Sequence, residues 1–241
     1  MYLKATVLLS TLALSGAVLA QAAPAAPDYT LSFNAGAVTD YRYRGISQSR
    51  LKPAAQAGAD LAHSSGFYVG TWASTIKWIK DAGGDANVEW DVYGGYKGEA
   101  AGVGYDLGVL RYQYPSHDLA VSPNTTELYV AGSLGPATLK YSHATTNLFG
   151  FSDSKNSYYV DLSASFDMGG GWSLVPHVGH QKVKNNDGAS YTDYSIAVAK
   201  DFGNGLSASL ALVDTDAEGY IAPNGKDLGK AGAVLGVKYS F

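Results

Sequence analysis

Apolar residues recur at every second position along most of this chain, and that period decides what it can fold into. Tyr29, Leu31, Phe33, Ala35 and Ala37 form one row, while Thr30, Ser32, Asn34, Gly36 and Asp40 form the other. Successive side chains of a strand point to opposite faces, so a period of two reads as a strand. The pattern returns at Val88, Trp90, Val92 and Tyr96 against Asn87, Glu89, Asp91 and Tyr93. It returns at Val103, Tyr105, Leu107 and Val109, and at Tyr158, Val160, Leu162, Ala164 and Phe166. It is cleanest at the end, where Ala233, Leu235, Val237, Tyr239 and Phe241 alternate with Val234, Gly236, Lys238 and Ser240. Twelve such segments are expected, at 29–43, 54–62, 66–74, 87–97, 102–114, 125–134, 137–146, 157–168, 172–183, 191–202, 206–214 and 231–241. Pro176 has no N–H for a ladder, so the strand over 172–183 is expected to be locally irregular.

The connections alternate in length. His63–Ser65, Gly98–Ala101, Gly135–Pro136, Gly169–Gly171 and Gly203–Gly205 are short. Gly45–Pro53, Thr75–Ala86, Pro115–Asn124, Asn147–Asn156, Lys184–Ser190 and Thr215–Lys230 are longer and polar. A soluble sandwich with an aromatic core has no reason for this rhythm. An outer-membrane barrel does, with short periplasmic turns and longer extracellular loops. Lipid offers backbone groups no partner, so a spanning sheet must close on itself. The segments also approach the roughly 9–11 residues that a membrane strand needs. The fold class expected is therefore all-β, an antiparallel transmembrane β-barrel of about 12 strands with both termini on the periplasmic side. Two aromatic bands fit it: Tyr29, Phe67, Tyr96, Phe166, Trp172, Phe202 and Phe241 at one end, and Tyr41, Tyr43, Trp90 and Tyr158 at the other.

Composition narrows the function classes. Of 241 residues, 16% are charged, against about a quarter in a typical soluble domain, and 18 are Tyr and 29 Gly. A net charge of −4 argues against nucleic-acid binding, which needs a basic patch. The absence of Cys excludes disulfides, thiolate chemistry and cysteine metal sites. Lys4, the apolar run Ala5–Ala20 and the small-residue stretch Ala20-Gln21-Ala22-Ala23 have the form of a secretory signal. Residues 1–23 are read as a signal peptide and 24–241 as the barrel, which loses Lys4 and so carries −5. After residue 23 no stretch approaches the roughly 18 apolar residues of a membrane helix.

Several stretches carry a family likeness. The ending Ala233, Leu235, Val237, Tyr239, Phe241 resembles the C-terminal assembly signature of bacterial outer-membrane proteins, which implies recognition by the barrel-assembly machinery. The stretch Val38 to Ser74 resembles the N-terminal signature of the TorF-type porins. Further matches are Glu89–Gly98, Gly104–Pro115, Glu127–Val130, Lys140–His143, Tyr158–Leu162 and His177–Gln181. Together they span most of the mature chain. The resemblance implies an outer-membrane pore and names a location and shape better than a cargo. The Ala-rich tract Ala54, Ala55, Ala57, Ala59 departs from the bulkier residues of that pattern.

Candidate site residues follow from the inward row. Arg42 and Arg44 share one face of the first segment, and facing lipid would cost each about 2–4 kcal/mol near the midplane. They are expected in the lumen, either as a basic element near a constriction or in ion pairs with Asp40, Asp60, Glu89 or Asp91. The inward carboxylates are Asp40, Asp60, Glu89, Asp91, Asp106, Glu127, Asp161 and Asp193; the inward cations are Arg42, Arg44, Lys97, Lys140 and Lys238. That is eight acids to five bases, so an open lumen would lean toward cations. Tyr93 joins the pore-lining set.

Other motifs have plainer readings. His177 and His180 are spaced for a metal on a helix, but on a strand they point to opposite faces. His63, beside Ser64 and Ser65, would need an orienting acid and oxyanion donors to work as a hydrolase, and no such set is visible. Gly83-Gly84, Gly94-Gly95 and Gly169-Gly170-Gly171 lack the Lys-Ser/Thr of a phosphate loop and read as turns or as inward residues that make space. The acidic loop Asp214–Gly219 reads as solvated. The function expected is passive diffusion of ions or small polar solutes, without cofactor, metal or enzymatic activity. The partners expected are outer-membrane lipid, the barrel-assembly machinery and the solutes. A closed surface-binding barrel and a lipid-modifying enzyme in the barrel wall are the competing functions.

Overall fold

A computed structural model describes residues 28–241; the signal peptide read at 1–23 lies outside the described residues. The chain forms an antiparallel meander that closes on itself. Its strands are β1 (Tyr29–Val38), β2 (Ala54–His63), β3 (Phe67–Thr75), β4 (Val88–Ala100), β5 (Val103–Gln113) and β6 (Thr125–Leu134). They continue as β7 (Ala137–Ala144), β8 (Tyr158–Ala164, resumed at Phe166–Gly169), β9 (Trp172–Lys182), β10 (Tyr191–Gly203), β11 (Leu206–Thr215) and β12 (Gly232–Ser240). Each strand pairs with its chain neighbours, and β12 pairs with β1, from Asn34 opposite Ser240 to Val38 opposite Gly236. Phe33 and Phe241 exchange backbone hydrogen bonds of 2.8 and 3.0 Å at that seam. This is the twelve-stranded closed barrel that the alternation and the loop rhythm imply.

The two rows of each strand separate as the period of two requires. Leu31, Leu107, Val130, Leu162, Val198, Leu212 and Leu235 are exposed on the outside. Asp91, Asp106, Glu127, Ser142, Asp193 and Ala199 are buried inside. A barrel that is apolar outside and polar inside inverts the soluble pattern and matches a lipid surround. At the closed-turn end, Tyr29, Phe67, Phe166, Trp172, Phe202 and Phe241 are exposed outward.

Two expectations need correction. The first strand ends at Val38, not at residue 43. Tyr41 and Tyr43 therefore leave the outer aromatic band; Tyr41 is buried and Tyr43 packs beside it. Pro176 does not disturb its own strand, which runs unbroken over Trp172–Lys182. The break falls in its neighbour. The β8 ladder pairs Ser163 with His177 and resumes with Phe166 opposite Leu174, skipping the positions that face Pro176 and Val175. Proline has no N–H to donate across that gap, and Ser165 donates its own N–H to the Pro136 carbonyl at 2.9 Å.

Candidate functional site

After Val38 the chain turns into the lumen. Residues 39–53 carry a small hairpin that pairs Arg42 with Ser47 and Tyr43 with Ile46. Arg44 (φ 46°) and Gly45 (φ 82°) form its tip, both left-handed as a two-residue type I′ turn requires. A Cβ on Gly45 would lie 2.7 Å from Cβ of Asp193 on β10, so the tip presses against that wall. At the root, Asp40 accepts hydrogen bonds from Ser47 Oγ (2.5 Å), Ser49 Oγ (3.2 Å) and Arg42 Nε (2.7 Å). Arg42 also donates to the carbonyls of Gly45 (3.1 Å) and Lys230 (2.7 Å), which ties the hairpin to the last long loop.

Arg44 holds the tip in place. Its guanidinium donates to Glu127 Oε2 on β6 (2.7 Å) and to Gln181 Oε1 on β9 (2.5 Å). It lies 4.1 Å from the ring centre of Tyr159 and 4.7 Å from that of Tyr43. Both members of the Arg44–Glu127 pair are almost fully buried, at 6% and 2% exposure. The arginines do lie inside the barrel, but on a hairpin that crosses it rather than on the wall. Of the partners expected for them, Asp40 takes Arg42, while Arg44 pairs with Glu127, outside the expected set. The alternation Asp40-Tyr41-Arg42-Tyr43 imitates a continuing strand, and the signal that it does not is Gly45 after Arg44.

One side of the lumen, from β2 to β6, is filled by tyrosines on carboxylates. Glu89 accepts phenol hydrogen bonds from Tyr41 (2.5 Å) and Tyr114 (2.9 Å). Asp60 accepts from Tyr93 (2.6 Å) and Asp106 from Tyr68 (2.6 Å), whose hydroxyl also meets that of Tyr129. Tyr43 donates to the Tyr112 hydroxyl at 2.8 Å. The rings lie flat over small partners: Tyr93 faces Gly70, Tyr68 faces Gly95 and Tyr129 faces Gly108 in direct register. A Cβ on Gly70 would come 2.6 Å from Tyr93 Cζ, so glycine is what lets the ring lie down there. Above them Tyr41, Ile76, Ile79, Leu110, Tyr112 and Tyr114 form one buried cluster. Asp91 is buried at the same level, and its Oδ1 has no hydrogen-bond partner among the described residues.

The other side holds a cavity of about 320 Å³. Its wall is made of small inward residues, including Gly36, Ser163, Ser195, Ala197, Ala199, Ser209 and Gly236. Lys140, Asp161, His177, Asp193 and Lys238 border it together with Asp40, Arg42 and Arg44. His177 Nε2 is 2.5 Å from Asp161 Oδ2, and Nδ1 is 3.6 Å from Asp193 Oδ1. Tyr159 donates to Asp193 Oδ2 at 2.9 Å. Lys97 lies over the Tyr68 ring at 5.5 Å, and Lys140 over the Tyr129 ring at 4.1 Å. His180 is exposed on the outside, 3.1 Å from Thr192 Oγ1, so the two histidines stand on opposite faces. Among the described residues no group of His, Asp or Glu is arranged to hold a metal ion. His63 is not in the turn but ends β2, opposite Tyr29 and against its ring, 2.6 Å from Ser65 Oγ of the turn that follows. Val237, Tyr239 and Phe241 are exposed on the outside of the closing seam.

A family model for bacterial proteins of unknown function, Gcw_chp, matches residues 21–241. The chain belongs to that family. No curated protein matches it. Among solved structures the barrel is similar to the KdgM porin in complex with disordered oligogalacturonate, with a TM-score of 0.57 at 8% identity over 87% of this chain and 99% of that one. It is also similar to the NanC porin, with a TM-score of 0.54 at 12% identity over 88% of this chain and 99% of the other. At such identities the likeness is one of fold: a twelve-stranded barrel shared with outer-membrane porins.

Several lumen residues escape a reading of strand faces alone. Tyr112, Tyr129, Tyr159 and Gln181 all hold or stack on charged groups, yet they count as ordinary inward positions in sequence. For Tyr129 the usable signal is an inward Gly in register on the next strand, Gly108, which leaves room for the ring; Tyr112 and Tyr159 have no such glycine opposite them.

Proposed function

We propose that this chain forms a narrow bacterial outer-membrane pore passing ions or small polar solutes by passive diffusion. The observation that carries the reading is the cavity of about 320 Å³ between the hairpin and the small-residue wall. It is bordered by charges of both signs, and it is at the lower end of the size range of small-molecule sites. The apolar outside supports contact with lipid, and the outward Val237, Tyr239 and Phe241 support recognition by the assembly machinery. The likeness of Val38–Ser74 to TorF-type porins points the same way. In this reading Asp40, Arg42, Arg44, Asp161, Lys140 and Lys238 border the path. Asp60, Glu89, Asp91, Tyr93, Asp106 and Glu127 build the opposite, filled wall. The side-chain hydrogen bond of His63 is with Ser65 in the turn that follows, and an enzymatic role is not part of this reading.

Planar-bilayer recording of the refolded mature chain tests this directly. Discrete conductance steps are expected, smaller than those of a wide porin because the hairpin narrows the lumen. A folded barrel that never conducts would overturn the proposal. It would favour a closed, surface-binding barrel, a reading supported by the tyrosine-filled side and by the anchoring of the hairpin to walls on both sides.

A further inference from the structure

The charges around the cavity are not balanced in the way the whole-lumen count suggests. Asp40 is held by Arg42, Glu127 by Arg44, and Asp161 by His177. Asp60, Glu89 and Asp106 accept tyrosine hydroxyls on the filled side. Lys140 differs. It stands directly opposite Asp161 in the β7–β8 ladder, yet the Asp161 carboxylate turns to His177 instead. Among the described residues the Lys140 ammonium has no ion pair within 4.0 Å and no hydrogen-bond acceptor; its contact is the face of Tyr129. A ring face steadies a cation without supplying a hydrogen-bond acceptor, so the N–H donors turned away from the ring remain available. Those donors border the cavity, which Ser142, the next inward residue of β7, and Ser163 of β8 also line.

We infer that Lys140 is an anion-binding step in the lumen, taking small singly charged anions, carboxylates included. The inference deepens the pore reading and rests on it for its transport consequence, while the binding site stands on its own geometry. It also reverses the lean toward cations expected from counting acids. Around the cavity Arg42 is matched by Asp40 and Arg44 by Glu127, which leaves Lys140 and Lys238 against Asp161 and Asp193, with His177 beside both acids adding positive charge whenever it is protonated. Rings of Lys and Arg are how pores favour anions.

The test uses the mature chain and its Lys140→Met and Lys140→Arg variants, each checked for folding by heat-modifiable migration on a gel. Reversal potentials in a potassium chloride gradient should show anion preference in the parent. Lys140→Met should lower the chloride-to-potassium permeability ratio about three- to fivefold, the effect of one unit charge acting through a wet lumen. Lys140→Arg should retain the ratio. Replacing chloride by acetate asks whether carboxylates use the same step. The second readout does not need conduction: line broadening of labelled acetate by the refolded barrel in micelles. Broadening lost in Lys140→Met and kept in Lys140→Arg supports the site, even if the barrel proves closed and the pore reading fails. A permeability ratio and acetate broadening both unchanged in Lys140→Met would overturn the inference.

Discussion

The two sides of the lumen share one backbone pattern and differ in what stands on it. From β3 to β6 the inward row includes Tyr68, Tyr93 and Tyr129, each opposite a glycine, and Tyr112, which stands between Asp91 and Thr125; Tyr68 and Tyr93 are tied to carboxylates. From β10 round to β1 it includes Ser195, Ala197, Ala199, Ser209, Gly236 and Gly36. A small barrel can be packed shut by its side chains or left with a space. Here one half is packed and the other is not, so the cavity lies off-centre, where the residues are small. The hairpin bridges both. Tyr41 and Tyr43 sink into the tyrosine cluster, while Ile46 joins Tyr191, Ala217, Ala222 and Leu228 under the last loop on the other side.

The largest effect should come from removing the bridge. Replacing residues 41–47 by a short Gly-Ser link should raise single-channel conductance several-fold, because the lumen loses its crossing segment. An unchanged conductance would mean that the tyrosine side, not the hairpin, limits the path. Next, bulk placed on the open side should matter more for conduction than bulk removed from the filled side. Ala197→Phe should cut conductance by more than half. Tyr129→Ala should instead cost stability, by about 3–5 kcal/mol if the ring behaves as a buried aromatic, read from urea unfolding in vesicles. If the two variants traded these effects, the assignment of the sides would be reversed.

A subtler change acts on the anchor between them. Arg44→Met leaves Glu127 buried without its cation, a loss of about 3–5 kcal/mol when one member of a buried pair is removed. It should be visible as added current noise from a loosened hairpin tip. Replacing both residues, Arg44→Met with Glu127→Gln, should recover part of that loss, and a noise level equal to the single variant's would argue that the pair is not what holds the tip. The smallest effect concerns the last loop. Burial pushes the Tyr220 phenol up to about 12, where it packs on Tyr191 and donates to the Ala189 carbonyl at 3.1 Å. A raised folded value favours the neutral ring. Its contribution is full below the ordinary tyrosine value near 10 and is lost as pH rises through 12. Absorbance of the tyrosinate should show Tyr220→Phe lacking one late-titrating phenol, and current noise on the open side should rise over that window in the parent.

Much of this architecture is legible in residues. The outward rows through Leu107, Leu162 and Leu235, the short Gly-rich turns and the long polar loops together specify an antiparallel closed sheet, because a period of two and unpaired backbone in lipid leave few alternatives. The placement of Asp60, Glu89, Asp106, Glu127, Asp161 and Lys238 on the inner row follows from the same count. The separation of His177 from His180 does too. What strand faces do not carry is how far a strand continues. Asp40-Tyr41-Arg42-Tyr43 alternates as well as any wall segment, and the turn at Arg44-Gly45 becomes decisive only when β6, β9 and β10 offer Glu127, Gln181 and Asp193 to meet its tip.

The sequence by itself determined the closed twelve-stranded barrel, its inside and its outside, since those depend on local alternation and on the chemistry of one residue at a time. The tertiary structure decided which lumen charges neutralise one another, where the space remains, and that the first long loop folds inward. Those outcomes depend on distances between side chains far apart in the chain, as between Arg44 and Glu127 or His177 and Asp161, and a one-dimensional pattern does not contain such distances.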